Sequence, residues 1–368
     1  MKPLWRPTAQ ARPRHDWAQG SDSPRDVTNR SERRLLNVWR LFQRWWLLLI
    51  LALALAPPFL LSPGKVYVAT GFLVAILFAA ATGFVIGFAG VPTFGQQAFY
   101  AGGAYATTTL IVTWNWTDQV LLLGAAMLVG LAMALPISLL MRGTAGLAFG
   151  LLTLAAAQAI YLFVYQTPYV YGEAGLSGAY RGEVFGVSVE SPTNYYFYTL
   201  GVVAVSMMAM LAIRRSMLGR VMWAIRENHE RVSSLGVPIG RYRIGAFAIG
   251  AIFSAAAGSL LAQLVEAVDP SLFYWTAGAN PILAGLIGGI RLFWGPVLGA
   301  LILQSVTYFI GQASPAWIFW LGTIVVTLYL LWPDGILAGL SSQQSRYWVA
   351  RGRGHVKTLL ARMRVPNG

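Results

Sequence analysis

Apolar runs about twenty residues long follow one another through most of this chain, interrupted by brief clusters of Gly, Pro and polar residues. A bilayer core about 30 Å thick accepts about 20 apolar residues as one helix, so each run reads as a membrane span. The spans fall at about 45–63, 66–89, 94–113, 119–141, 145–165, 195–213, 241–265, 276–290, 293–311 and 315–332. About ten helices, some broken by Gly and Pro, predict an all-α polytopic membrane protein with both ends of the chain on one side. Residues 1–44 then form a basic tail, 45–333 the membrane domain and 334–368 a second basic tail.

Charge fixes which side that is. Of 368 residues 57% are hydrophobic and only 11% charged, yet the net charge is +14. Lys and Arg exceed Asp and Glu by 10 to 4 in residues 1–44, by 7 to 2 in 212–243 and by 6 to 1 in 333–368. Basic loops mark the cytoplasmic side, so both tails and the loop near 214–240 belong there. The loops expected outside are acidic, with Glu173, Glu183 and Glu190 against Arg181, and then Glu266 and Asp269. Within the N-terminal tail, Leu35, Leu36, Val38, Trp39, Leu41 and Phe42 among Arg33, Arg34, Arg40 and Arg44 can form an interfacial helix. The first apolar run begins too late for a cleavable signal peptide. Neither tail carries a nucleic-acid-binding pattern, so the basic charge points to lipid and not to DNA or RNA.

Without cysteine there is no thiolate chemistry, and His15, His229 and His355 sit in charged segments, so neither a metal site nor a cofactor is expected. No Gly-x-x-x-x-Gly-Lys-Ser/Thr loop is present, which excludes the usual ATP site in this chain. No expected span carries a His, Asp or Cys for an intramembrane enzyme, and few carry the buried ionisable groups that an ion-coupled secondary transporter uses. That transporter class remains the alternative reading.

Two stretches are too rich in Gly to be single straight helices. Residues 83–105 place Gly90 and Gly95 around Pro92, followed by Gln96, Gln97 and Tyr105; residues 284–300 carry Gly288, Gly289, Gly295 and Pro296. Irregular backbone at membrane depth requires a protein or water-filled surround, so both stretches are candidate gates, and Gln96, Gln97, Tyr105 and Gln158 are candidates for the wall of a path. Close helix packing through small residues, or an interhelix hydrogen bond for Gln158, explains the same features without a path. Arg291 falls at an inner turn, where a headgroup or packing role fits it best.

Residues 216–238 read as one amphipathic helix, capped by Ser216 and stopped by Gly236 and Pro238, with Leu218, Val221, Met222, Ile225, Val232 and Leu235 on one side. Such a helix can anchor at the interface or serve as a docking lever for a partner.

These segments carry a family resemblance. Gly90, then Thr93-Phe94-Gly95-Gln96-Gln97-Ala98-Phe99 and Gly103-Ala104-Tyr105, are similar to the first signature of branched-chain amino acid ABC importer permeases, a family that includes urea and amide permeases. Leu152-Thr153-Leu154-Ala155 with Gln158 resembles a second signature, Gly172 to Leu176 a third, and Gly288-Gly289 with Gly295-Pro296 and Gly299-Ala300 the last. Gly219-Arg220, Ala224-Ile225-Arg226-Glu227-Asn228 and Leu235-Gly236 resemble the cytoplasmic coupling segment.

The resemblance implies a translocation subunit that works with separate ATP-hydrolysing subunits, a second related permease and an extracytoplasmic solute-binding protein. In it the coupling segment would dock on the ATPase, and the loop around Tyr169, Tyr171 and Glu173 would meet the binding protein. Gln96 stands where the family usually has histidine, and Arg291-Leu292 replaces a usual Gly-Thr pair, departures that bear on the solute.

Overall fold

The computed structural model of the chain describes residues 55–142, 144, 146–168, 171–313, 316–332 and 335–337. The expected N-terminal tail with its interfacial helix, about the first half of the span at 45–63, Tyr169 and nearly all of the C-terminal tail lie outside the described residues. The elements below belong to the unit Pro57–Gly368.

After a helical turn at Pro57–Leu60 comes α1 (Pro63–Gly83), continued without a gap by a π-helical stretch, Phe84–Phe88. There follow α2 (Gln96–Trp114), α3 (Gln119–Ser138), α4 (Leu147–Gln166) and α5 (Pro192–Arg215). Two short helices, α6 (Met217–Glu227) and α7 (His229–Ser234), lead into α8 (Ile239–Val265). The last of these helices among the described residues are α9 (Trp275–Gly288), α10 (Gly295–Ala313) and α11 (Trp317–Leu331). This is an all-α membrane architecture, since lipid offers the backbone no hydrogen-bond partners and helices satisfy their own.

Among the described residues five segments are long and apolar enough to cross a bilayer: Pro63–Phe88, Gln119–Ser138, Leu147–Gln166, Pro192–Arg215 and Ile239–Val265. Local chemistry sets several boundaries. Pro63 and Pro192 occupy first turns, where their missing N–H costs nothing. The Asp118 carboxylate caps α3 by accepting from the amides of Val120 and Leu121, and Ser191 caps α5 through the amide of Asn194.

Burial separates centre from rim. The apolar stretches of α1 and α8 are 72% and 67% buried, whereas those of α3, α4 and α5 are 28%, 28% and 33% buried. α2 is enclosed as well, because small residues let backbones approach: a Cβ on Gly103 would strike the carbonyl of Ala255, and one on Gly258 the carbonyl of Tyr100. Thr107 then donates to Ser259 at 2.8 Å across this seam.

Between α4 and α5 the chain forms short strands that the helical pattern does not announce. β1 (Leu176–Ser177) pairs with β4 (Ala267–Val268), and β2 (Glu183–Val184) with β3 (Val187–Ser188) through Phe185 and Gly186, both with positive φ. Arg181 straps this loop to the end of α8, donating to the carbonyls of Gln263 and Leu264 and pairing with Glu266 at 3.6 Å. Those carbonyls lack intrahelical partners at a helix end, so a cation there is favoured.

Candidate functional site

The first Gly-rich stretch is a genuine break. Helical geometry stops after Phe88, and residues 89–95 run irregularly until α2 begins at Gln96. Gly90 has φ +68°, a left-handed conformation, and Pro92 removes a further donor from the stretch. Thr153 of α4 holds the far side of the break: its hydroxyl accepts from Thr93 Oγ1 at 3.2 Å and from the Phe94 amide at 3.1 Å. A Cβ on Gly95 would strike the Thr153 carbonyl. The first two signatures therefore meet in space, with Thr153 as the joint, a residue whose place in the sequence showed only a polar group in an apolar run.

The four residues nominated for a path share one property. Gln96 Nε2, both amide atoms of Gln97, Tyr105 Oη and Gln158 Nε2 are buried and have no hydrogen-bond partner. Gln96 does accept from Ser254 of α8, at 3.2 Å. Gln97 is fully enclosed, and a Cβ on Gly278 of α9 would fall on its carboxamide. Two turns on, Tyr105 stands against Phe273 with ring centroids 5.5 Å apart, in a cluster with Ala101, Ala157 and Ala262. Tyr105 thus meets α4 at Ala157, Gln97 meets α9 at Gly278, and Gln96 turns to Ser254 of α8. Leaving such a buried group without any partner would cost about 1–3 kcal/mol, so these atoms are places where a small polar molecule can bond.

Gln119 and Gln263 have unpaired buried carboxamides too. Both sit at the end of the helices away from Gln96, where Tyr198 donates to the backbone carbonyl of Gln119 and Arg181 to that of Gln263. Sequence reading missed them because each stands at the end of an apolar run, where a polar residue is unremarkable. A separate cleft of about 460 Å³ opens between α1, α8, α9 and α10, with Asn280, Gln304 and Thr307 in a mostly apolar wall. None of Gln96, Gln97, Tyr105 and Gln158 lines it.

The basic segment corrects one expectation. Residues 216–238 form two helices, not one, because Asn228 leaves the helical conformation (φ −154°, ψ 94°) and its side chain accepts from the Arg231 amide to start α7. Ser216 caps α6 as expected, accepting from the Gly219 amide, and Gly236 ends the segment with φ +75°. Met222, Ile225 and Val232 are buried, but Leu218 and Leu235 are 54% and 76% exposed, so the expected apolar side is narrower. Gly219 has no room for a side chain against the carbonyls of Ile213 and Arg214. Arg220, Ala224 and Glu227 face outward.

Arg226 makes the contact that links the segment to the break: a Cβ on Gly90 would lie 2.6 Å from Arg226 Cγ. Burial, then the nearby Arg291 guanidinium, lower the pKa of Arg226 from its ordinary value, and Glu227 opposes this only in part.

The second Gly-rich stretch is a tight turn between two helices and not a broken helix. Gly288 and Gly295 touch backbone to backbone, Gly289 has φ +102°, and Pro296 sits in the first turn of α10. A Cβ on Gly83 would strike Pro296 and one on Gly87 the Ile290 carbonyl, so this turn packs directly against the π-helical stretch. Here small residues serve close packing, and Arg291 lies at the turn, as expected.

The family described as branched-chain amino acid transport system permease component matches residues 65–331, from the first turn of α1 to the last residue of α11. The chain belongs to this family. Its similarity to individual permeases covers most of its length. It is 25% identical over 324 residues to the high-affinity branched-chain amino acid transport system permease protein LivM of Salmonella typhimurium, covering 80% of this chain and 75% of that protein. The LivM permease of Escherichia coli gives the same identity over 331 residues. The permease protein LivH of Escherichia coli is 32% identical over 142 residues, 36% of this chain and 45% of LivH. No solved structure matches the chain.

Proposed function

We propose that the chain is a translocation subunit of an ATP-binding-cassette importer for branched-chain or other small amino acids, or for amides and urea. Membership of the permease family over residues 65–331 is the observation that carries the reading. In this reading ten spans cross a bacterial inner membrane with both termini in the cytoplasm. Separate ATPase subunits dock on α6 and α7, a second related permease completes the membrane unit, and a binding protein delivers solute to the opposite face.

The geometry supports a mechanical route. Arg226 rests on Gly90, so a displacement of α6 bears on the break at 89–95, and α2 with Gln96 and Gln97 begins where the break ends. Thr153 ties the same break to α4, which carries Gln158. The unpaired amides of Gln96, Gln97 and Gln158 and the phenol of Tyr105 offer donors and acceptors to a small polar solute without binding it as a charge would. The buried polar residues among those described are hydroxyls and amides, with no carboxylate to carry a coupling proton or sodium ion.

The decisive experiment is uptake of leucine, glutamate, urea and acetamide into vesicles that hold this chain with its ATPase and permease partners. Uptake should require ATP and fail in Arg226→Glu and Glu227→Arg variants that express normally. Uptake by this chain alone, driven by an ion gradient and unchanged in those variants, would overturn the proposal in favour of a secondary transporter.

A further inference from the structure

In the half of the bundle where α1 begins and α8 ends, the cleft of about 460 Å³ lies between α1, α8, α9 and α10. That volume is in the range of small-molecule sites. Phe72, Leu261 and Leu303 are among its larger apolar side chains, but α9 and α10 bring polar groups to the same wall: Asn280, Gln304 and Thr307.

These groups stand near one level. A Cβ on Gly288 would strike the Gly295 carbonyl and one on Gly299 the Ala284 carbonyl, so α9 and α10 run antiparallel with those pairs side by side. One turn further along, Asn280 comes level with Leu303 and Gln304. Pro281 sits inside α9 and has no N–H, so the carbonyl of Ala277, another residue of the wall, lacks its helical donor. Thr307 donates its proton to the Leu303 carbonyl at 2.9 Å and keeps an oxygen that can accept. Neither carboxamide has a hydrogen-bond partner among the described residues.

Acyl chains cannot satisfy such groups, so lipid is a poor occupant. An apolar wall with two amides and a free carbonyl suits a small molecule that has an aliphatic body and a head that both donates and accepts.

The cleft also adjoins the unpaired amide of Gln97. Gly278 of α9 lies against that amide, whereas Ala277, Asn280 and Pro281 of the same helix line the cleft. Tyr100, one turn after Gln97 on α2, stacks on Phe78 with ring centroids 4.2 Å apart, and both rings line the cleft. Helix α9 therefore stands between the cleft and Gln97.

We propose that the cleft is an entry site for the transported solute, and that this solute is a compact aliphatic molecule with a zwitterionic or amide head. Urea, which has no aliphatic body, is a poor ligand for it. The inference rests on the importer reading and adds the place where solute is held before it passes α9 to reach Gln97.

The test irradiates vesicles that hold the full chain and its ATPase and permease partners with a diazirine analogue of leucine, and maps the adducts by mass spectrometry. Adducts should fall on residues 277–284 and 300–308, and excess leucine should remove them where excess urea does not. Gln304→Leu should cut this labelling about fivefold, the loss of one net hydrogen bond. Ala75→Phe, which narrows the cleft, should cut it at least about tenfold, whereas Leu128→Phe on the exposed face of α3 should leave it unchanged. Labelling that leucine does not remove would assign the cleft to lipid and overturn the site. So would leucine-sensitive labelling confined to other segments, or labelling indifferent to Gln304→Leu and Ala75→Phe in variants with unaltered thermal unfolding. ATP-driven leucine uptake without labelling here would overturn the site and leave the importer reading intact. Leucine-sensitive labelling here without ATP-driven uptake would support the site and overturn that reading.

Discussion

Gly90 is held at φ +68° with the Arg226 side chain filling the space of its missing Cβ. A side chain there costs about 1–2 kcal/mol for the backbone alone, before the clash is relieved. Gly90→Ala is therefore expected to cut ATP-driven uptake at least about tenfold while the chain still inserts, and the ATPase rate should lose its response to solute. Thr153→Val should act at the same break from the other side. It leaves the Phe94 amide without its acceptor, a loss of about 1–3 kcal/mol, visible as a lower unfolding temperature in detergent. Gln97 separates a structural from a functional role: Gln97→Met removes two unpaired buried atoms, so thermal stability should hold or rise as uptake falls. The amides at 96, 97 and 158 were legible in the sequence because a polar group in an apolar run is conspicuous. Thr153 stands out in the sequence only as part of a motif, and its bond to Thr93, 60 residues away, leaves no local pattern.

Among the elements, the segment from Ser216 to Pro238 shows where periodicity stops being sufficient. Its apolar spacing fits one helix, yet Asn228 divides it, since an Asn side chain serves either as a tolerated helical residue or as a cap. With the cap formed, Ile225, Val232 and Ile239 share one buried cluster. Asn228→Ala should cost about 1 kcal/mol in stability and uncouple ATP hydrolysis from uptake, measured as hydrolysis retained with transport lost. The π-helical end of α1 is a second case. Gly83 and Gly87 were visible as small residues, but their purpose is the close approach of Pro296 and Ile290, which lie two hundred residues further along.

For the whole molecule, the proposed topology makes a direct prediction, and the absence of cysteine makes it simple to test. Val187 and Leu235 are 63% and 76% exposed and stand in the β2–β3 hairpin and after α7. A membrane-impermeant maleimide should label Val187→Cys from outside the cell and Leu235→Cys only after permeabilisation. Labelling of both from one side would sink the topology. The sequence alone determined that the solvent is lipid, that the spans are helices and nearly where the described spans from α1 to α5 and from α8 to α11 start and end. Those properties follow from runs of about twenty apolar residues, and a run is a local quantity. Tertiary structure decided which polar groups meet. Gly90 rests on Arg226, Thr93 on Thr153 and Gln97 on Gly278, contacts between distant helices that depend on how surfaces pack and not on any neighbouring residue.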